Sequence, residues 1–281
     1  MKFTKYLLFF LFVLGSQPFF AQLSSKHYLP PLKRSGGSSE FSAQSFYLST
    51  PVTTAFDVNV YQGTNTTAVA TISISNTSSG QFDPPLGAGN GVNFFYGTNN
   101  TSIVTDANAG IVLSSAGFRF EAPSGNKFYV NWRAGHSAQA SSLVSAGEAG
   151  LGTDFRWGGS PLTSIESGSF TNSTYQNHVN SVIGIMATED NTLVIISGYN
   201  PGCTFTNASG QNGITADEIS ISLNAGQSYV LEARPTGLTS ATSPNNDGWL
   251  GARISSNKKI AVNQGHLLLS FARDNLDMSM T

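Results

Sequence analysis

The 281-residue chain has a single cysteine, Cys203. No internal disulfide is available to it, so the fold must rest on a buried core. Charge is scarce too: Asp, Glu, Lys and Arg make up 11% of the chain, against roughly 25% in ordinary soluble domains. The 14 basic and 16 acidic residues leave a formal net charge of −2, which offers no electrostatic footprint for nucleic acid. After Ala21 no apolar run reaches the ~20 residues of a membrane-spanning helix, and no helix-period pattern of useful length occurs. There is no phosphate-cradling glycine loop closed by Lys-Ser/Thr and no dinucleotide fingerprint. Nucleic-acid binding, nucleotide chemistry and a helical membrane span are thereby excluded.

Gly, Ser, Thr and Asn stand where charged residues usually would. The 29 glycines and the 11% of aromatic residues suit turns and pleated surfaces. An uncharged polar surface of this kind is common on secreted β-proteins. The N-terminus agrees, with Lys2 and Lys5 ahead of the apolar run Tyr6–Leu14 and a cleavage point after Ala21. This is a signal peptide over residues 1–21, which places the mature chain outside the cell or on its surface. Cys203 then reads as a small buried loop residue or as one half of a pair with a partner beyond this sequence.

The chain is organised around Asn180–Gly198, where two apolar runs, Val182–Ala187 and Leu193–Ile196, flank Glu189-Asp190-Asn191-Thr192. Strand-length runs around a turn-forming tetrapeptide predict a β-hairpin, covered on both faces because neither run alternates strictly. Glu218–Leu223 and Ser228–Arg234 predict a second hairpin. Phe56–Tyr61 and Ala68–Ser75 alternate with period two, the mark of a strand with one face on a core. Phe46–Ser49, Gly117–Glu121, Phe128–Trp132, Trp249–Ile254 and Lys259–Asn263 read as further strands, the last two split by a turn at Ser255–Lys258. Ser78–Asn93 and Tyr199–Gly213 read as loops, and Gly135–Gly152 as an irregular crossover.

Strands spaced about 8–12 residues apart are the sandwich or jelly-roll signature. The expectation is an all-β protein of two tandem sandwich modules, with one large fused sandwich as the alternative. The boundaries are 1–21 signal peptide, 22–40 irregular leader, 41–159 first module, 160–177 connector and 178–281 second module. The polar ending after Phe271 suggests the N-terminal part of a longer protein, with the second module cut short.

No catalytic constellation emerges. Gly135-His136-Ser137-Ala138-Gln139 lacks the closing glycine of a nucleophile elbow, and His27, His136, His178 and His266 have no zinc-site spacing. Glu189-Asp190 sits on a turn, where a solvated tip is the plainer role than acid–base work. Asn245-Asn246-Asp247-Gly248 resembles a fragment of a calcium loop, making Asp247 and Asn245 weak metal candidates, but the acidic spacing and closing Glu are missing. No other cofactor is expected. Trp132, Trp157 and Tyr199 are the candidate partner-binding residues, as a stacking platform, with core packing as the alternative fate of strand aromatics.

Four segments taken in order, Lys127–Gly159, Ser181–Phe205, Ile221–Arg234 and Gly248–Gly265, resemble the N-terminal region of IgGFc-binding proteins. The resemblance covers about Phe46 to Phe271. It implies a module near the start of very large exported proteins of gliding bacteria, ahead of adhesion-type repeats and a type IX secretion sorting domain. It implies no enzymatic activity and does not carry immunoglobulin binding to this chain. The expected function is a non-enzymatic extracellular module for adhesion or partner binding, with a protein or glycan surface ligand. A carbohydrate-binding domain or carbohydrate-active enzyme would instead need exposed tryptophans beside paired carboxylates, and a third possibility is a structural spacer or cap.

Overall fold

Period-2 segments dominate the chain, and they fold as antiparallel strands. The computed structural model describes residues 22–33, 43–84, 87–88, 104–136, 139–159, 180–207, 210–214, 216–233 and 244–266. The expected signal peptide, the 160–177 connector and the Leu267–Phe271 run lie outside these.

One four-stranded sheet has the order β1 (Lys26–Leu29), β8 (Phe118–Glu121), β3 (Phe56–Gln62), β4 (Ala70–Ile74). A five-stranded sheet has the order β10 (Gln139–Val144), β9 (Tyr129–His136), β2 (Ala43–Ser49), β5 (Gly80–Asp83), β6 (Gly87–Ala88). Inward rows from both sheets, among them Val58, Val60, Phe118 and Phe120 from one and Phe46, Leu48, Val130 and Trp132 from the other, form one core. This is sheet-on-sheet packing, with alternate residues turned to solvent.

A nine-stranded sheet holds the rest: β7 (Val112–Leu113), β11 (Gly152–Arg156), β12 (Ser181–Ala187), β13 (Thr192–Ser197), β14 (Phe205–Asn207), β15 (Gly210–Ile214), β16 (Glu218–Leu223), β17 (Ser228–Ala233) and β18 (Arg253–His266). The protein is therefore all-β and sandwich-like, as the composition and strand spacing imply.

The two hairpins do not form. Ser181–Ala187 pairs with His266–Ile260 of β18, and Val194–Ser197 pairs with Ser256–Arg253 of the same strand. β11 follows the opposite flank of β18, with Gly152 beside Ile260 and Arg156 beside Arg253. β12 and β13 thus lie end to end along β18, and the chain keeps its direction through Thr188–Asn191. β17 and β16 repeat the pattern against β12 and β13. Ser255–Lys258 is likewise no turn but the middle of β18.

Where these strands leave their ladders, side chains stitch them together. Asn191 N–H donates to Asn224 Oδ1 (3.1 Å), Ala225 N–H to Asp190 Oδ1 (3.0 Å) and Leu193 N–H to Asn257 Oδ1 (2.8 Å). Asn191 takes a positive φ of 54°, a conformation Asn tolerates. Residues on both sides of this level, Val194, Ile219 and Ile254 on one and Ile183, Leu231 and Ile260 on the other, share one core. The sheet therefore turns a corner there and closes over its own inner face. The first sandwich meets the corner closely, since a Cβ on Gly226 (φ +80°) would stand 2.2 Å from the Gly63 carbonyl oxygen. Gly226→Ala should destabilise the protein by about 1–3 kcal/mol, read as a lowered Tm.

Several segments expected to be irregular are strands. The leader contains β1, paired with β8 from Lys26↔Glu121 to Leu29↔Phe118. The supposed crossover holds β10, which forms a true hairpin with β9. The two loops contain β5 with β6 and β14 with β15. Gly, Ser and Asn in these stretches support short pleated pairs because neighbouring strands supply the burial that the residues themselves lack.

β12 is covered on both faces, while β13 alternates and leaves Leu193 39% exposed. The cover on β12 comes from far along the chain. Val182 and Val230 pack with Val104 and Ala116, and Asn263 Nδ2 donates to the Pro30 carbonyl (2.8 Å). Lys33 is fully buried here, its Nζ donating to Asp106 Oδ1 (2.6 Å) and Glu232 Oε1 (3.0 Å). The segment after β1 thus ties the first sandwich to the outer face of the third sheet.

Candidate functional site

All three aromatics read as a stacking platform are inside the protein, because each lies on an apolar face. Trp132 alternates on β9 with Val130 and Ala134 and is 2% exposed. It stacks on Phe46 (5.1 Å) and donates through Nε1 to the buried Gln44. Trp157 is fully buried between Phe205 and Trp249, and its Nε1 donates to Ser181 Oγ (2.9 Å). Tyr199 packs edge-on to Phe205 and donates its hydroxyl to the Ala216 carbonyl. All three side chains are packed in the interior. With their indole and phenol donors satisfied inside, they act as core anchors.

The calcium-like turn is also committed to structure. Asn245 is buried, its Oδ1 accepting from Thr204 N–H (2.8 Å) and its Nδ2 donating to the Thr204 carbonyl (2.7 Å). Asp247, two residues on, is exposed. Among the described residues no three His, Cys, Asp or Glu side chains cluster closely enough to hold a metal ion. Cys203 is buried beside this turn, with Sγ 3.3 Å from the Pro244 carbonyl. Burial pushes its thiol up to about 11, so it stays a protonated, inert thiol at neutral pH.

A groove of about 270 Å³ lies where β1, β10, β11 and β18 meet. Leu143, Val144, Leu151 and Phe155 give it apolar walls, and Arg156 stands at its edge. Val144 is 45% exposed. Ala261–Gln264 of β18 line it as well. β11 leaves β18 at Ile260, and from Ala261 to His266 the described residues pair β18 with β12 alone. Among the described residues, that flank of β18 carries no paired strand where it borders the groove. Such a flank presents backbone donors and acceptors in strand spacing.

One wall of the groove, the 3₁₀ turn Gly147–Gly150, is fixed from beneath by His27. His27 is buried on β1. Its Nε2–H donates to the Phe128 carbonyl (2.9 Å), so the neutral ring accepts from Ser145 Oγ at Nδ1 (2.9 Å). Ser145 Oγ in turn accepts from Gly147 N–H (3.2 Å). Ser24 Oγ donates to Glu148 Oε2 (2.9 Å) and closes the clamp.

Burial lowers the His27 pKa from 6.5 to about 4. The unfolded chain binds a proton in that window and the folded one does not. Stability contributed by neutral His27 is thus complete above pH 6.5 and falls by about 3 kcal/mol as pH drops to 4. Urea denaturation from pH 7.5 to 4 should show this slope, and His27→Gln should flatten it.

The sequence reading did not find this groove. Its walls come from three parts of the chain, β1, the neighbouring β10 and β11, and β18, and no local motif joins them. A family model for IgGFc binding protein matches residues 140–280, half of the chain. The chain belongs to the IgGFc binding protein family. The match takes in nearly all of β10, the whole of β11–β18 and the β11 and β18 sides of the groove; residues 46–139, which the resemblance included, lie ahead of it. No curated protein and no solved structure matches the chain. The IgGFc binding family is not an enzymatic one, its domains are typically extracellular, and its members suggest protein binding. Among the described residues no helix is long and apolar enough to cross a membrane.

Proposed function

We propose that this IgGFc binding family member is a non-enzymatic extracellular module of a larger exported surface protein, contributing to adhesion by holding a protein partner. Family membership over residues 140–280 carries this reading. The resemblance to exported proteins of gliding bacteria supports export of the longer parent by the type IX route. A signal peptide at 1–21 fits that course.

The partner is held in the groove, as an extended segment laid along the open flank of β18. The flank supplies strand-like hydrogen bonding, Val144 and Phe155 receive an apolar side chain, and Arg156 receives a carboxylate. Arg156 donates to the Gly251 carbonyl (3.2 Å), and no carboxylate among the described residues forms an ion pair with it. Calcium has no part in this reading, which the engagement of Asn245 Oδ1 with Thr204 N–H supports.

Binding of the mature chain to an array of matrix proteins and glycans, with and without a calcium chelator, tests the proposal. Saturable binding to a protein spot that survives chelation is the expected result. A blank array from folded chain would assign the module a structural role, and glycan-only binding would overturn the choice of partner.

A further inference from the structure

Lys33, Glu232 and Asn180 meet in the interior where the leader crosses the third sheet, and all three are fully buried. Glu232 Oε1 accepts from Lys33 Nζ at 3.0 Å and from Asn180 Nδ2 at 2.5 Å. An amine, a carboxyl and a primary amide therefore share one oxygen out of reach of bulk water. Lys33 Nζ also donates to Asp106 Oδ1 (2.6 Å), so the ammonium is shared between two carboxylates and Asn180 supplies Glu232 with a further donor. A primary amide on the same carboxylate oxygen brings an electrophile beside a nucleophile, with a proton carrier between them.

We propose that Lys33 and Asn180 form an intramolecular isopeptide bond, with Glu232 as the catalytic residue. The Lys33 ammonium gives a proton to the Glu232 oxygen that it touches. The Nζ lone pair then attacks Asn180 Cγ, forming a C–N bond while the carbonyl π pair moves onto Oδ1. Glu232 delivers its proton to Nδ2 and takes one from Nζ. The oxygen lone pair re-forms the carbonyl, the Cγ–Nδ2 bond breaks and Nδ2 leaves as ammonia. Ammonia carries the remaining proton away as ammonium, restoring the carboxylate. One amine and one primary amide give one secondary amide and one ammonia, with no oxidant, metal or cofactor.

The bond would join the leader covalently to the start of β12, so force or heat could not strip the first sandwich from the third sheet. Asp106 Oδ1, 2.6 Å from Nζ on a partly exposed side chain, is the competing acceptor. It would lose water instead of ammonia. Asn180 is favoured because it shares the Glu232 oxygen and lies wholly inside.

Intact-mass measurement of the folded, exported chain, followed by tandem mass spectrometry of a digest, decides the matter. The expected mass is one ammonia below that calculated from the observed N-terminus, with a branched peptide joining Lys33 to Asn180. Lys33→Arg and Glu232→Gln should each restore the full mass and slow migration on a denaturing gel. The wild-type result stands even if a variant fails to fold. Full mass in the folded wild type, or loss of ammonia without the branched peptide, would overturn the proposal. Loss of water with a Lys33–Asp106 branch would overturn Asn180 as the acceptor.

Discussion

Lys33→Ala is expected to lower the unfolding free energy by about 3–5 kcal/mol, the range found when one partner of a buried ion pair is removed. Lys33 and Glu232 have no solvent exposure, so truncation strands the Glu232 carboxylate in a site that water does not reach. Asn180 donates to Glu232, but one neutral amide does not replace an ammonium. The strain falls on the junction between the leader and the third sheet, beside the close contacts at Gly184, where a Cβ would lie 2.9 Å from the Pro31 carbonyl. Urea denaturation at pH 7, followed by tryptophan fluorescence, measures the cost. Lys33→Met with Glu232→Gln should recover the part of the loss that comes from the stranded charge, but not the part contributed by the proposed Lys33–Asn180 bond. Equal losses in the single and double variants would show that packing or the covalent link, and not charge, holds the junction.

Phe46→Ala should be comparably damaging, at about 3–5 kcal/mol. Phe46 is completely buried and sits among Phe82, Phe118, Phe120 and Trp132, with ring centroids 5.0–6.0 Å away. It bridges the two sheets of the first sandwich, so deleting its ring removes contacts from both at once. Phe46→Leu should cost much less, because volume is largely kept. Thermal unfolding of both variants checks the prediction; a Phe46→Ala loss under about 1 kcal/mol would mean that the first core relaxes into the space.

The alternation of Phe56–Tyr61 and Glu218–Leu223 made individual strands legible, since period two reports a face turned toward a core. Their partners were not legible. Glu189-Asp190-Asn191 and Asn224-Ala225-Gly226 carry the chemistry of a hairpin reversal, and the same chemistry serves a corner in a strand that keeps its direction. What separates the two cases is the long β18, which pairs with both β12 and β13, and its middle, Asn257-Lys258-Lys259, looks like a break. Trp132 could have been placed inside, because it shares its face with Val130 and Ala134. Buried Lys33 could not: a Lys beside Arg34 in a Pro- and Gly-rich stretch resembles an exposed linker. Its partners lie about 70 and 200 residues away in sequence. The groove was hidden for the same reason, being a product of topology rather than of any local motif.

On the function proposed above, the groove is where this IgGFc binding family member holds its partner. The direct measurement is biolayer interferometry of the wild type, Phe155→Asp and a control on the first sandwich, the exposed Val69→Asp, against the protein captured on the array. Phe155→Asp should weaken binding at least tenfold, the ratio given by about 1.4 kcal/mol, while Val69→Asp binds as the wild type does. Undiminished binding by folded Phe155→Asp would contradict the account and place the contact elsewhere on the surface.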